Sequence, residues 1–300
     1  MSARNTFTTA YSTLFTFTLV ALFFLSSPSL AHAAKVVDLD ATSLTPGPPA
    51  TWTNSVGADF TAELDTPSVT LIPSNTGGAM IPAVTLDGTN DWYVGAAANG
   101  LGLTGGASRT VKAWVFNPAL PTEETVVAWG RRGGGDGTNT SINHATSAAF
   151  GAVGHWGGPD IGWNGNEAAG VWQHIAYTWN SADSTTRVYI NGALVNSENP
   201  ITLNTHALDT GSNPLPIVIG NQNEADGTRT DALSGSLSIG KLEIHNTALS
   251  GTDILDMFNA DAPLFLQGIQ PVPEPSAFFM GLLAVAGLAG VMWRRRRTLR

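Results

Sequence analysis

The chain has 300 residues, a formal net charge of −9 and no cysteine. The lack of cysteine excludes disulfide crosslinks, thiolate metal sites and thiol catalysis, so the fold must be stabilised by burial. Acidic residues are concentrated in residues 35–275, where 8 Lys and Arg residues stand against 23 Asp and Glu residues, a net charge of −15. A surface of this sign argues against nucleic acid and anionic membranes as partners.

The N-terminal residues 1–34 have the pattern of a cleavable signal peptide. Arg4 precedes an apolar stretch at residues 14–25, and Ala31 and Ala33 are small residues at the positions that a signal peptidase reads. The sequence therefore predicts export, with a signal peptidase as a processing partner.

Residues 35–262 are predicted to form one all-β domain. Short runs rich in Val, Ile, Thr and Trp alternate with clusters of Gly, Asn, Asp and Pro, which is typical of a sandwich or barrel. Because crossover helices are missing, the strands should pair in antiparallel fashion. The predicted strands are residues 83–86, 92–95, 109–116, 125–129, 150–155, 172–179, 186–190, 217–219 and 238–245.

Local patterns add detail to this domain. The strand at 109–116 is largely apolar on both faces, so we expect it to be covered on both sides. Asn191 and Gly192 predict a two-residue hairpin turn, since both residue types tolerate positive φ. Ser250 with Asp253 three residues later predicts the capped start of a short helix.

The C-terminal residues have the pattern of a sorting tail. A spacer at residues 263–275 ends in Pro273, Glu274 and Pro275, and an uncharged apolar run at 276–293 precedes a basic tail at 294–300. Eighteen residues of helix span roughly 27 Å, enough to cross a bilayer core, and the arginines are expected to stay cytoplasmic.

This tail resembles the PEP-CTERM sorting signal of bacteria. The resemblance implies cutting near the motif by an exosortase, a membrane protease-transpeptidase, and placement at the cell surface or in the extracellular matrix. The alternative is a permanent single-pass membrane anchor.

Six segments follow one another along the exported region, at residues 86–94, 109–118, 172–179, 187–192, 217–220 and 242–250. In this order they resemble the concanavalin A-like, LamG-type jelly roll. The resemblance implies an antiparallel two-sheet sandwich and a binding or adhesion role for sugars or proteins. Family members often carry Ile-Asp where this chain has Ile239 and Gly240, so a metal ligand or buried hydrogen bond at that position is not expected.

Glucan-cleaving enzymes of this fold carry a Glu-x-Asp-x-x-Glu strand that places paired carboxylates at the glycosidic bond. Glu63 and Glu224 begin such a pattern without completing it. Glu123 and Glu124 are adjacent and should point to opposite faces of a strand. The sequence therefore predicts a protein that is not an enzyme.

The densest polar and aromatic cluster supplies the candidate ligand-binding residues, which are Trp156, Trp163, Asp160, His155 and Arg131. A tight turn at residues 157–159 should hold the two tryptophans on neighbouring strands. If they are exposed, their rings offer flat faces for sugars, with the three polar residues as hydrogen-bonding groups. If they are buried, they belong to the core.

The glycine-rich loop before this cluster contains Asp136 and Asn139, which are the candidate Ca²⁺ ligands. The alternative is a solvated surface loop, because the carboxylate density is lower than in dedicated calcium loops. The sequence requires no other cofactor.

The favoured interpretation is an exported, non-enzymatic module that binds extracellular polysaccharide. A structural or adhesion protein that binds other surface proteins without sugar affinity is the second hypothesis, and exposure of Trp156 and Trp163 would favour the first. A glycoside-active enzyme is the third, and it would need two carboxylates about 5 to 9.5 Å apart in a groove.

Overall fold

The structure is a computed structural model that describes residues 34–199 and 201–267. The signal peptide predicted at residues 1–34, with Ala31 and Ala33, lies outside the described residues except for its last position. The motif at residues 273–275, the apolar run at 276–293 and the basic tail also lie outside them. Within the described ranges, no helix combines the length and apolar character needed to span a membrane.

The described residues form fifteen strands, two short 3-10 helices and one α-helix. In chain order the strands are β1 (Lys35–Asp40), β2 (Thr51–Trp52), β3 (Phe60–Leu64), β4 (Ser68–Pro73), β5 (Met80–Thr85), β6 (Asp91–Ala97), β7 (Arg109–Phe116), β8 (Thr125–Gly130), β9 (Asn139–Asn143), β10 (Val153–Gly154), β11 (Trp172–Asn180), β12 (Thr185–Ile190), β13 (Ala193–Glu198), β14 (Pro216–Ile219) and β15 (Ser238–His245). The 3-10 helices are Ala98–Leu101 and Asp231–Leu233, and α1 is Gly251–Gln267.

The strands form two antiparallel sheets, as the sequence pattern predicts for a jelly-roll sandwich. Sheet A has the order β13-β12-β11-β7-β15-β5-β4, with β1 paired to β15. Sheet B has the order β10-β9-β8-β14-β6-β3-β2. Strands distant in the chain are thus neighbours in both sheets, and β14 lies between β6 and β8.

Strands β7 and β15 have the bounds that the sequence pattern predicts, and the other predicted strands agree within a few residues, apart from β10, which keeps only Val153–Gly154 of the predicted 150–155. The pattern does not predict β1 to β4 or β9. The sequence pattern does not predict strand β9 (Asn139–Asn143) because only Ile142 in it is strongly apolar. Its polar side chains are buried nonetheless.

The main core lies between the sheets, and a second cluster lies on the outer face of sheet A. On β7, Val111, Ala113 and Val115 belong to the core between the sheets. Trp114, on the opposite face of the strand, is fully buried in the second cluster. The prediction that this strand is covered on both sides is confirmed.

The predicted hairpin joins β12 to β13. Asn191 has φ 51° and Gly192 has φ 79°, the left-handed geometry that a two-residue hairpin turn requires. The Asn191 side chain also accepts the backbone N–H of His174 at 3.0 Å, which fixes the turn to the neighbouring strand β11.

Helix α1 covers the outer face of sheet A. Its predicted cap is confirmed, since Ser250 N–H donates to Asp253 Oδ2 at 2.9 Å and Asp253 N–H donates to Ser250 Oγ at 3.2 Å. The Phe265 ring stacks on Trp114 with 4.4 Å between centroids. The helix continues to Gln267, past the domain boundary predicted after residue 262, and residues 263–267 are helical because Leu264 and Phe265 bury against the sheet.

Gly240 permits this contact. A Cβ atom at Gly240 would overlap the edge of the Phe265 ring, so any larger residue would push the helix off the sheet. The pairing of β15 with β7 also shifts register between Ile239 and Lys241. The departure from the family's Ile-Asp pattern therefore has a packing reason in this chain.

We predict that Phe265→Ala lowers the free energy of unfolding by about 3 kcal/mol or more, because it removes a buried ring that no neighbour can replace. Urea denaturation measures this change. Leu255→Ala is the matched control, since Leu255 lies on the same helix but is 44% exposed, and it should cost less than about 1 kcal/mol. Equal losses in the two variants would contradict the assigned role of Phe265.

Candidate functional site

A cleft of about 320 Å³ opens beside strands β8, β9, β10 and β14 of sheet B. Because side chains alternate along a strand, Ile142 of β9 points into the core while Asn139 points toward the cleft. The residues that line the cleft are Glu123, Arg132, Asn139, Phe150, Gly154, Trp156, Gly157, Asp160 and Gln222.

A chain of hydrogen bonds crosses the cleft floor. Asn139 Nδ2 donates to Gln222 Oε1 at 3.0 Å, and Gln222 Nε2 donates to Glu123 Oε1 at 2.8 Å. The Arg132 guanidinium donates to the same Glu123 oxygen at 3.2 Å. Asn139 is only 2% exposed, yet its Oδ1 atom has no hydrogen-bond partner. A buried acceptor without a partner is costly unless a ligand or water supplies a donor.

The turn after β10 presents Trp156 at the cleft. Trp156 has φ 71°, which is rare and strained for a bulky residue, and it is 36% exposed. The Arg132 guanidinium lies over its indole ring, 5.2 Å from the centroid. Strained residues of this kind persist where the surrounding structure holds them, and they cluster at ligand sites.

Asp160 closes this turn. Its Oδ1 atom accepts the backbone N–H of His155 at 2.6 Å. Burial raises the pKa of Asp160 to about 6, against the effect of hydrogen bonds from the His155 and Trp156 backbones, and the charges of Glu123 and Asp136 raise it further. The predicted tight turn is confirmed, and its carboxylate is half-buried at the cleft.

His155 does not reach the cleft, contrary to the expectation that it hydrogen-bonds a ligand. It is fully buried, with Nδ1 2.8 Å from the Pro159 carbonyl and Nε2 2.9 Å from the Tyr177 hydroxyl. Because a carbonyl only accepts, Nδ1 must carry the proton and Nε2 must accept from Tyr177. Burial, with the nearby Arg109 charge, lowers the pKa of His155 to about 3, so the ring is neutral. His155 positions the turn.

Trp163 has the second of the two placements that the sequence left open, in the core. It is 1% exposed, belongs to the core between the sheets, and donates its indole N–H to the Asn143 carbonyl at 3.2 Å. The cause is strand register: Ile161 bridges to Val153 and faces the core, and Trp163, two residues later, lies on the same face. Only Trp156 of the pair is exposed.

Arg131 lies outside the cleft lining, and its neighbour Arg132 takes the expected place. Consecutive residues of an extended chain point in opposite directions, which explains the exchange. Arg131 is half-buried and donates to the Gly133 carbonyl at 3.4 Å.

The two candidate Ca²⁺ ligands have different surroundings. Asp136 is exposed, and its carboxylate lies so close to Gly157 that a Cβ atom there would overlap it. Asn139 is buried at the start of β9, as part of the cleft floor and not of a loop. No group of three or more His, Asp or Glu side chains that could hold a metal occurs in residues 34–199 and 201–267.

Glu123 and Glu124 point in different directions, as expected for adjacent residues. Glu123 lines the cleft, whereas Glu124 is 4% exposed and accepts the backbone N–H of Ser236. Burial raises the pKa of Glu124 to about 7. The two carboxylates therefore do not share one site.

Apart from two glycines, four cleft residues were not among the candidates from the sequence, namely Glu123, Arg132, Phe150 and Gln222. Arg132 could have been found by weighing both members of its Arg pair. Gln222 carries no local signal, because it meets Asn139 only through the pairing of β14 with β8.

Comparison with known families gives two matches. Residues 83–255 match the family described as the concanavalin A-like lectin/glucanases superfamily. Residues 271–297 match the PEP-CTERM protein-sorting motif. A search of curated proteins found no significant match.

Several solved structures are similar to this chain. They include the binding domain of Paraclostridial Mosquitocidal Protein 1, at 15% identity and TM-score 0.47, covering 75% of this chain and 52% of that one. The botulinum neurotoxin serotype D ligand-binding domain in complex with N-acetylneuraminic acid has 14% identity and TM-score 0.45, covering 75% and 50%. Trypanosoma rangeli sialidase in complex with sialic acid has 16% identity and TM-score 0.48, covering 77% and 33%. The match thus spans between a third and about half of the length of these solved chains.

We predict that Asp160→Asn stabilises the protein at neutral pH. Folding raises the pKa of Asp160 to about 6. Below about pH 4 the side chain is protonated in both the folded and the unfolded state, so it does not change the free energy of unfolding. As the pH rises through about 6, the side chain ionises less readily in the folded state than in the unfolded state, and the free energy of unfolding falls. Asparagine keeps an acceptor for the His155 N–H without the charge. Because the carboxylate is partly exposed, the expected gain at about pH 7.5 is only ~1 kcal/mol.

Urea denaturation between about pH 4 and 7.5 tests this, with Asp65→Asn, at an exposed position outside the cleft, as the control. The advantage of Asp160→Asn over the parent should vanish at about pH 4. A variant that is less stable than the parent at neutral pH would refute the assignment.

Proposed function

Because the chain belongs to the concanavalin A-like lectin/glucanases superfamily and carries a PEP-CTERM protein-sorting motif, we propose that it is an exported surface module whose sheet B cleft binds polysaccharide without cleaving it. The motif implies export, sorting to the surface and processing by an exosortase. Extracellular polysaccharide is the proposed ligand, and a signal peptidase is the proposed first processing enzyme.

The observation that carries this proposal is the exposed Trp156 at the cleft. Sugar rings have apolar faces that pack on aromatic rings, and polar groups around the ring fix their orientation. At this cleft the indole is held by a strained backbone and by the Arg132 guanidinium, so it is pre-arranged for contact. The unpartnered Asn139 oxygen supplies an acceptor beside it.

Binding is favoured over hydrolysis by how the cleft carboxylates are used. A glycosidase needs one carboxyl group free to give a proton and a second free to act as base or nucleophile. In this cleft Glu123 accepts from both Arg132 and Gln222, and Asp160 accepts the backbone N–H of His155. One oxygen of each carboxylate is therefore engaged in holding the cleft together, which fixes the orientation of the group and leaves the second oxygen to accept from a ligand.

We predict that Trp156→Asn lowers polysaccharide affinity at least about tenfold, the equivalent of ~1.4 kcal/mol of lost contact. Asparagine suits positive φ, so the turn should keep its shape while the ring is removed. Trp156→Phe should retain most of the affinity. A glycan array that includes the host's own exopolysaccharide, read with the full-length protein, measures these changes.

Leu208→Ala is the matched control, because Leu208 is 40% exposed and lies outside the cleft lining. Unchanged binding by Trp156→Asn would place the sugar elsewhere on the protein. A folded parent protein that binds no glycan would favour the structural or adhesion role instead.

A parallel array with EDTA tests the Ca²⁺ proposal at Asp136 and Asn139. If these residues hold Ca²⁺, EDTA should weaken binding by the parent protein, and Asp136→Asn should abolish that sensitivity. If EDTA does not change binding, Ca²⁺ takes no part in the proposed function.

A further inference from the structure

The floor of the cleft contains a buried hydrogen-bond acceptor that is left open. Gln222 Nε2 uses both of its N–H groups, on Glu123 and Thr125, and Asn139 Nδ2 donates to Gln222 Oε1. Asn139 Oδ1 is left without a partner although the residue is 2% exposed. A ligand at this floor must therefore bring a donor.

The carboxylates of the cleft add further acceptors. Both donors to Glu123, from Arg132 and Gln222, end on Oε1, and Oε2 accepts from no group in the described residues. Asp160 uses Oδ1 for the His155 N–H and lines the same cleft. Ionised carboxylates only accept hydrogen bonds, so each free oxygen is a further acceptor.

The charge of the cleft also favours a ligand that donates hydrogen bonds. Glu123 and Asp160 line the cleft, and Asp136 lies against Gly157 at its edge. The three are close enough that the charges of Glu123 and Asp136 both act on Asp160. Among the residues that the structure describes, Arg132 is the one cation in the lining, and it is already paired with Glu123. The cleft therefore carries an excess of negative charge at neutral pH.

We propose, building on the polysaccharide-binding function above, that this cleft selects sugars that carry a free, protonated amino group, such as a de-N-acetylated aminosugar polymer. An ammonium group has three donors, no acceptor and a positive charge, which complements Asn139 Oδ1 and the carboxylates of Glu123 and Asp160. The adjoining Trp156 ring packs against the apolar face of the sugar. A carboxylated sugar would bring further acceptors and a repelled charge.

The test uses two matched probes, chitohexaose and its fully de-N-acetylated counterpart, which share linkage and length and differ in the amino groups. Isothermal titration calorimetry of the full-length protein at about pH 6.5 should give a dissociation constant at least about tenfold lower for the de-N-acetylated probe. Raising the salt concentration should shrink this preference, since the carboxylates are partly exposed. A galacturonic acid hexamer should bind more weakly than either probe.

Variants separate cleft recognition from general attraction to an acidic protein. Glu123→Gln and Asp160→Asn should each reduce the preference for the amino probe, whereas Asp65→Asn, which removes an exposed carboxylate outside the cleft, should leave it unchanged. Trp156→Asn should weaken both hexamers, because packing on the ring does not depend on the amino group.

Equal affinity for the two hexamers, or tighter binding of the galacturonate, would overturn the amino-sugar proposal and leave polysaccharide binding intact. A preference that survives both Glu123→Gln and Asp160→Asn would overturn it too, since the charge would then come from elsewhere on the surface. Failure of the folded protein to bind any glycan, including those of the array, would instead overturn the proposed function itself.

Discussion

The buried guanidinium of Arg109 lies 5.8 Å from the centroid of the Trp129 ring of β8 in sheet B and links sheet A to the turn that forms the cleft. From β7 it donates to the Leu103 carbonyl at 2.9 Å, to the Thr205 hydroxyl at 2.8 Å and to the Tyr177 hydroxyl at 3.3 Å. Tyr177 in turn contacts His155. Arg109 is fully buried and has no ion pair in the described part of the chain. The cost of burying its guanidinium is therefore offset by these hydrogen bonds. The position of the cleft turn is thereby linked to the centre of the core.

That linkage explains how a strained aromatic residue can be held at the surface. The neutral His155 ring fastens the turn at Pro159, and the Asp160 carboxylate fastens it at the His155 backbone. Trp156 lies between these two attachments, with positive φ and its side chain outward. The strain, about 1 to 3 kcal/mol, is tolerated because the hydrogen bonds of the flanking residues hold the backbone in this conformation.

The two sheets have different exposed surfaces. On the outer face of sheet A, helix α1 buries Trp114 beneath Phe265, and Lys112 of β7 pairs with Glu243 and Asp261 at 3.0 and 3.1 Å. The outer face of sheet B instead carries the amides and carboxylates of the cleft. The open Asn139 acceptor, the carboxylates of the cleft and the acidic composition of the exported region favour a ligand that brings positively charged donors, and this chemical complementarity underlies the proposed choice of sugar.

The sequence by itself determined the features that depend on neighbouring residues: the alternation of β7, the hairpin at Asn191 and Gly192, the Ser250 cap and the sorting motif. These follow from local backbone preferences and side-chain periodicity. Only the tertiary structure decided which tryptophan is exposed, because strand register turns Trp163 inward while the turn holds Trp156 outward. It also decided the cleft floor, where residues far apart in the chain meet because non-consecutive strands pair; no local pattern records such a contact.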